Sequence, residues 1–539
     1  MTAPIARSAA PVEPANGSGV FGLYPASDFR IATGALGNGP TIRQALWYFR
    51  DQTIALPKPG LPVASFTRGV PAFDDIRQWA DTRPRDAPID YPPLIWVAAP
   101  AVVRHARMAT EGNALVTSDG AIAYELTPKI PLNRSYFDAS SIAFLSSRAV
   151  SVRGTPTPPS FIARTFWPED FVLGRRPPPV RALPAADTPQ ASLRALMREA
   201  PRGGAQSPYS AATLWQRDLA LADWSGRPIL ALMVNGAQGD DDEAHAGHFA
   251  LVTGRVAEDG SIGDWLANNF YTLDAESEKG ILAAPVPLDN YLGDLNSGQS
   301  WYRPSCLVVA VLRDARVPTL VQSALNRVYN QFYRHQLAYY HPDENCTSIS
   351  VDALRALGWP IPARGPSSRL LAWLGFPFLA LKERSIGKAK LAFDYLYTDQ
   401  TRLLPAAALE EAFGSLWALA HAAAGGDRDG IEAMLAQDLD ALAFVRVPQF
   451  PSSRVFGDAP AVTTREYHAR VPDDPALAQV VPVPPRPFPA ALRDPDLLPP
   501  ARHPSDYAVA VWSVVTIVGI PWLLWRVWRV WRRRGRLPV

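Results

Sequence analysis

Short apolar runs separated by turn residues mark the middle of the chain. Residues 229–234 (ILALMV), 249–256 (FALVTGRV), 265–272 (WLANNFYT) and 307–312 (LVVAVL) are rich in branched and aromatic side chains, the pattern of short β-strands. Glu258-Asp259-Gly260 supplies a hairpin turn between the second and third runs. After Pro318 the period lengthens. Leu325, Val328 and Phe332 fall on one face, with Tyr329, Tyr333 and Leu337 beside them, which predicts a helix. A loop follows at residues 340–345, and then a second helix from about Cys346 to Leu357, ended by Gly358 and Pro360. Strands followed by helices in one block predict an α+β unit.

Two longer apolar stretches lie C-terminal to it. Residues 370–381 (LLAWLGFPFLAL) carry no charge but are too short to span a bilayer. They read first as a buried core helix and second as a helix lying in a membrane surface. Residues 392–445 are Ala/Leu-rich and read as helical, with a break at GGDRDG. Residues 507–525 (YAVAVWSVVTIVGIPWLLW) form an uncharged run of nineteen, just enough to cross a hydrocarbon core of about 30 Å. Arg526, Arg529, Arg532, Arg533, Arg534 and Arg536 follow, interleaved with tryptophans. Burying that run in a core would bury the arginines with it, so the segment predicts membrane attachment through residues 507–531. The arginine tail favours the cytoplasmic side, whereas residues 1–30 contain no apolar segment of the signal-peptide kind. A kink at Pro521, with the Trp/Arg stretch lying in the interface on anionic headgroups, would reconcile the two.

Composition narrows the class. The 539 residues are 47% hydrophobic, which excludes wholesale disorder, and a net charge of +2 leaves no global basic field for nucleic acid. Two cysteines exclude a disulfide scaffold and a Cys-rich zinc site. Fifty-four prolines exclude an all-helical chain. Residues 475–504 are a proline-rich spacer that either extends as polyproline II or drapes along the surface. The expected organisation is a flexible tail at 1–30, a Pro-rich strand-containing region at 31–204 and the α+β unit at 205–365. A helical region at 366–446, a Pro-rich linker at 447–506 and the anchor complete it.

Two cysteines and eight histidines leave few thiol–imidazole pairs. Cys306 sits in an apolar strand and reads as a small hydrophobe. Cys346 sits at the junction of loop and helix, where about half a positive charge favours thiolate over thiol. His248 opens a strand, which would hold an imidazole rigidly to one face. Asn268 and Asn269, on the next strand, are placed to fix its tautomer. Only one of them can share its face, and Asn268 is put slightly ahead. His341 is a competing base on a less fixed loop. A zinc site built on His245 and His248 with the acidic run 240–243 is the weaker alternative, since the HExxH spacing is absent. No cofactor is implied.

The order of these pieces carries a resemblance. A histidine comes first in a GHFALV strand, and a cysteine follows in NCT at the head of a helix. This resembles the circularly permuted papain-like cysteine enzymes, a group that includes lecithin–retinol acyltransferase and bacterial amidases and acyltransferases. The segment QFYRHQLAYYHPDENCTSISVDALRALG is most similar to an uncharacterised bacterial domain family related to the lipoprotein N-acyltransferases. The likeness covers roughly residues 205–360. It implies a permuted papain-like domain of antiparallel sheet plus helices, with Cys346 as nucleophile, His248 as base and Asn268 or Asn269 as orienter. It also implies acyl transfer or amide hydrolysis, and the predicted membrane attachment points to a lipid, lipoprotein or cell-wall substrate at a bacterial inner membrane. The alternative is a membrane-tethered scaffold that keeps the fold without the chemistry.

Overall fold

The computed structural model describes residues 12–17, 19–33, 43–84, 86–130, 137–218, 222–239, 245–273, 283–422, 430–478, 487–494, 498 and 501–534. The chain is a mixed α+β protein. Its centre is a seven-stranded antiparallel sheet made of β1 (Ser210–Gln216), β2 (Pro228–Asn235), β3 (His248–Arg255), β4 (Leu266–Asn269), β5 (Ala284–Pro287), β6 (Ser305–Leu312) and β7 (Leu439–Val447). The strand order is β1-β7-β6-β2-β3-β4-β5. β2 and β6 are buried along their whole length. Both faces of the sheet centre are covered, which is why these runs read as continuously apolar rather than alternating.

The helices that follow are α1 (Arg316–Tyr333), α2 (Cys346–Ala356), α3 (Arg369–Lys382), α4 (Ile386–Tyr397), α5 (Pro405–His421), α6 (Pro504–Val514) and α7 (Ile520–Arg534). Between the last two, residues Val515–Gly519 form a π-helical stretch. Pro521, which has no N–H to donate, lies just beyond it. Among the described residues one helix, Pro504–Val530, is long and apolar enough to cross a membrane. Arg526 and Arg529 lie over the rings of Trp522 and Trp525, at 4.6 and 3.9 Å.

Four expectations are corrected. The N-terminal tail is folded from residue 12: Tyr24 and Phe29 are fully buried, and Asn326 on α1 donates to the Tyr24 hydroxyl at 2.6 Å. Region 31–204 does hold strands, in a three-stranded and a six-stranded sheet, yet it is not a separate unit. One cluster of buried apolar side chains runs through it and the central sheet. The buried pairs Arg327–Asp75 (2.7 Å) and Arg153–Asp289 (2.6 Å) cross between them. The stretch 392–445 does not stay helical. Its end belongs to β7, between β1 and β6, because Ala and Leu suit a strand buried on both faces as well as a helix. Finally, α3 is not a buried core helix. Leu370, Leu371, Leu374, Phe378 and Leu381 are exposed.

The described part of the proline-rich spacer drapes rather than projects. Phe488 is buried against Tyr48 and His335, and Asp494 pairs with Arg334 at 3.0 Å. These contacts join segments more than 150 residues apart, so no local pattern announces them.

Candidate active site

His248 is the first residue of β3, directly opposite Asn235 on β2. The preceding Gly247 has φ +86°, and a Cβ there would lie 2.3 Å from the Asn235 carbonyl oxygen. Only glycine lets the chain enter the strand at this point. The β3–β4 register pairs Leu251 with Asn268. Asn269 therefore stands opposite Ala250, on the face that carries His248. Its Oδ1 lies 2.8 Å from His248 Nε2, in a buried contact.

Asn268 is thus corrected as an orienter. It points to the other face, where its amide donates to Leu251 O (3.1 Å) and Gln322 Oε1 (3.0 Å) and accepts from Gln322 Nε2 (2.9 Å). That network continues to Asn326 and Tyr24, so Asn268 ties β4 to α1. Strand alternation gives the two neighbours unrelated work.

Cys346 is the first residue of α2. Asn345 caps that helix, its Oδ1 accepting from the N–H groups of Thr347 (2.7 Å) and Ser348 (3.0 Å), with the Ser348 hydroxyl closing a capping box. Asn345 Nδ2 also donates to His341 O at 2.8 Å, which anchors the loop to the helix head. Arg402 holds the same loop through Asp343 and Glu344 (3.8 Å) and ties it to Asp352 of α2 (2.9 Å). Burial pushes the Glu344 carboxyl up to about 8, with Arg402 opposing it.

The helix head brings the thiol to the imidazole. Burial by itself raises the Cys346 pKa. The charge of His248, a hydrogen bond to it and the Phe249 N–H outweigh that and hold the thiol at about 7. Since Nε2 faces Asn269, Nδ1 is left for the sulfur. Thr347 Oγ1 lies 3.8 Å from Sγ. A thiol, an imidazole and a side-chain amide thus stand in sequence, each within reach of the next.

Two tyrosines complete the pocket, and sequence reasoning missed both. The Tyr339 hydroxyl lies beside the Cys346 N–H. Burial, together with the charge a thiolate would place beside it, holds its proton on well above the ordinary range. The Tyr291 ring lies 6.4 Å from that of His248, and its hydroxyl donates to Asn235 Oδ1 at 2.5 Å. The Tyr339-Tyr340 pair just upstream of Asn345-Cys346 was the visible signal for the first. Nothing local flags Tyr291.

His341 is near the site but is not the sulfur's partner. Its Nδ1 bonds the Tyr395 hydroxyl at 2.6 Å, and partial desolvation of a side chain that is still exposed, followed by the charge of His248, lowers its pKa from the ordinary value. It lines an apolar cavity of about 410 Å³ together with Ala246, Leu371, Leu379, Leu403 and Leu404. The cavity therefore includes Ala246, two residues before β3 begins at His248, and extends to α3. Cys306 stands apart in β6, where burial pushes its thiol to about 11 against the pull of Arg446. The acidic run 240–243 lies outside the described residues. Among the described residues, no three His, Cys, Asp or Glu side chains are grouped to hold a metal. Comparison with protein-family models, with curated proteins and with solved structures finds no match to this chain.

Proposed function

We propose that the chain is a membrane-anchored cysteine enzyme of the permuted papain-like kind, performing acyl transfer or amide hydrolysis through a thioester on Cys346. The observation that carries this reading is the series Cys346, His248 and Asn269, in which a buried thiol is held at about 7 by an imidazole that is itself oriented at 2.8 Å.

In the proposed cycle the Cys346 thiolate attacks a substrate carbonyl carbon and forms the C–S bond. The carbonyl oxygen takes the negative charge and is stabilised by the N–H of Cys346, with the Tyr339 hydroxyl beside it. Collapse breaks the bond to the leaving amine or alcohol, which receives its proton from the His248 imidazolium. Water or an amine then attacks the thioester while neutral His248 takes a proton. The second collapse frees the product and restores the thiolate. Asn269 keeps Nδ1 aimed at sulfur throughout. The apolar cavity next to the site and the helix Pro504–Val530 favour a substrate with an acyl chain, such as a lipid or lipoprotein.

The test is alkylation of the purified full chain with iodoacetamide at pH 6.5, located by peptide mass. Rapid modification at Cys346, slowed in His248→Ala, supports the pair. Modification of Cys346 no faster than that of a free thiol would leave the tethered scaffold as the better reading.

A further inference from the structure

The exposed side chains of α3 are not scattered. Leu370, Leu371, Leu374, Phe378 and Leu381 fall within a stripe about 100° wide at 3.6 residues per turn. They are 71, 55, 61, 65 and 82% exposed, an uncommon display for five large apolar residues on one helix face. The opposite face is fully used. Ala372 and Phe376 are buried against Ala389 and Phe393 of α4 and Ala508 of α6.

That packing joins the stripe to the C-terminal helix. Lys390 on α4 pairs with Asp506 on α6 at 2.5 Å. The Ser505 hydroxyl and N–H donate to the Asp394 carboxylate at 2.7 and 3.0 Å. α6 is the first part of the helix long and apolar enough to cross a membrane, and its own exposed face carries Tyr507, Val511 and Val514. The far end of α3 and the start of α4 present Lys382, Arg384 and Lys388 to solvent, in reach of anionic headgroups if the stripe is immersed.

We propose that the apolar face of α3 is a second bilayer contact, with the α3–α4 hairpin lying in the membrane interface beside the C-terminal helix. The occupant is lipid, because the face adjoins a helix of membrane-spanning character and its end carries an excess of cations, Lys382, Arg384 and Lys388 against the single Glu383, which Lys388 pairs at 3.1 Å. Leu371 belongs both to the stripe and to the cavity wall. Docking in this way turns the Leu371 side of the cavity, which His341 also lines, toward the acyl-chain region. The proposal stands on surface geometry and does not depend on the chemistry of Cys346.

The test uses the full chain in the Cys346→Ala background, with single variants Leu374→Cys, Phe378→Cys, Lys388→Cys and Asp119→Cys carrying a bimane label. Each is reconstituted into vesicles of phosphatidylcholine and phosphatidylglycerol containing a lipid spin-labelled in its acyl chain. Bimane at 374 and 378 should be quenched at least twofold more than at 388, and at 388 more than at 119, which lies on a distant turn. Quenching at 374 and 378 no greater than at 119, with free access to aqueous iodide, overturns the proposal. Cross-linking between copies through residue 374 without quenching by the lipid overturns it in favour of self-association. Thermal melts matching the unlabelled protein confirm that the variants are folded.

Discussion

The two cysteines lie in regions that share burial and differ in almost everything else. Cys306 is the second residue of β6 with Arg446 beside it, and its thiol is pushed up to about 11. Cys346 heads α2 against His248, and its thiol is drawn down to about 7. A neighbouring cation is therefore not sufficient, since both thiols have one. Nor is a hydrogen bond to sulfur, which Arg446 makes to Cys306 as His248 does to Cys346. What separates them is the helix N-terminus and the second residue, Asn269, that fixes the imidazole. In β6 the side chain is one more packed hydrophobe. At the head of α2 the same atom is poised.

The widest break of this contrast is at the imidazole. His248→Ala removes the charge and the hydrogen bond but leaves the burial, so the Cys346 thiol should rise to the ordinary range of about 8.5 or beyond. At pH 6.5 the thiolate fraction then falls from about a quarter to about one hundredth, and alkylation should slow roughly 25-fold. In the unaltered chain the labelling rate should climb with pH and reach half its maximum near 7. Because the folded value lies below the unfolded one, the stability this thiolate contributes is present above about pH 8.5 and is lost as pH falls through about 7. An unaltered pH midpoint in His248→Ala would erase the distinction between the two cysteines.

The next effect is at Asn269. Asn269→Ala leaves His248 in place but frees its ring to turn away, so turnover should drop about tenfold. Asn268→Ala is the matched control one residue away. It removes two buried hydrogen bonds to Gln322 and one to Leu251 O, which should cost about 1–3 kcal/mol of stability in a thermal melt while labelling of Cys346 stays within about twofold. If the two variants exchanged phenotypes, the strand register given above would be wrong.

This pair shows how far the sequence could be read. The residue types and their order pointed to Cys346 and His248, because a helix head and a strand start leave local marks. The choice between Asn268 and Asn269 needed the β3–β4 register, and the long connection between them does not announce it. β7 was missed for a related reason: its Ala/Leu run suits either geometry, and only its place between β1 and β6 decides. Tyr24, Tyr291 and Phe488 reach their partners across large sequence separations, so no periodicity could have placed them. The apolar run in α3 was visible, but whether its leucines face a core or the outside depends on how much of the helix its neighbours cover.

The smallest expected effect sits at the other cysteine, and it completes the contrast. Cys306 lies among β2, β6 and β7, where its Sγ is one contact in a packed sheet. Cys306→Ala should lower stability by about 1 kcal/mol and leave both the rate and the pH midpoint of Cys346 labelling unchanged. In the folded chain Cys306 should resist iodoacetamide up to about pH 9, since burial keeps it protonated, and react readily only once denaturant opens the sheet. Arg446 makes this informative. Its guanidinium is near the sulfur but also donates to Leu196 O at 2.8 Å, so its charge is shared and not directed at the thiol alone. Fast labelling of Cys306 in the native protein would mean that proximity to any cation activates a buried thiol here. The oriented imidazole at Cys346 would then no longer be what distinguishes the two sites.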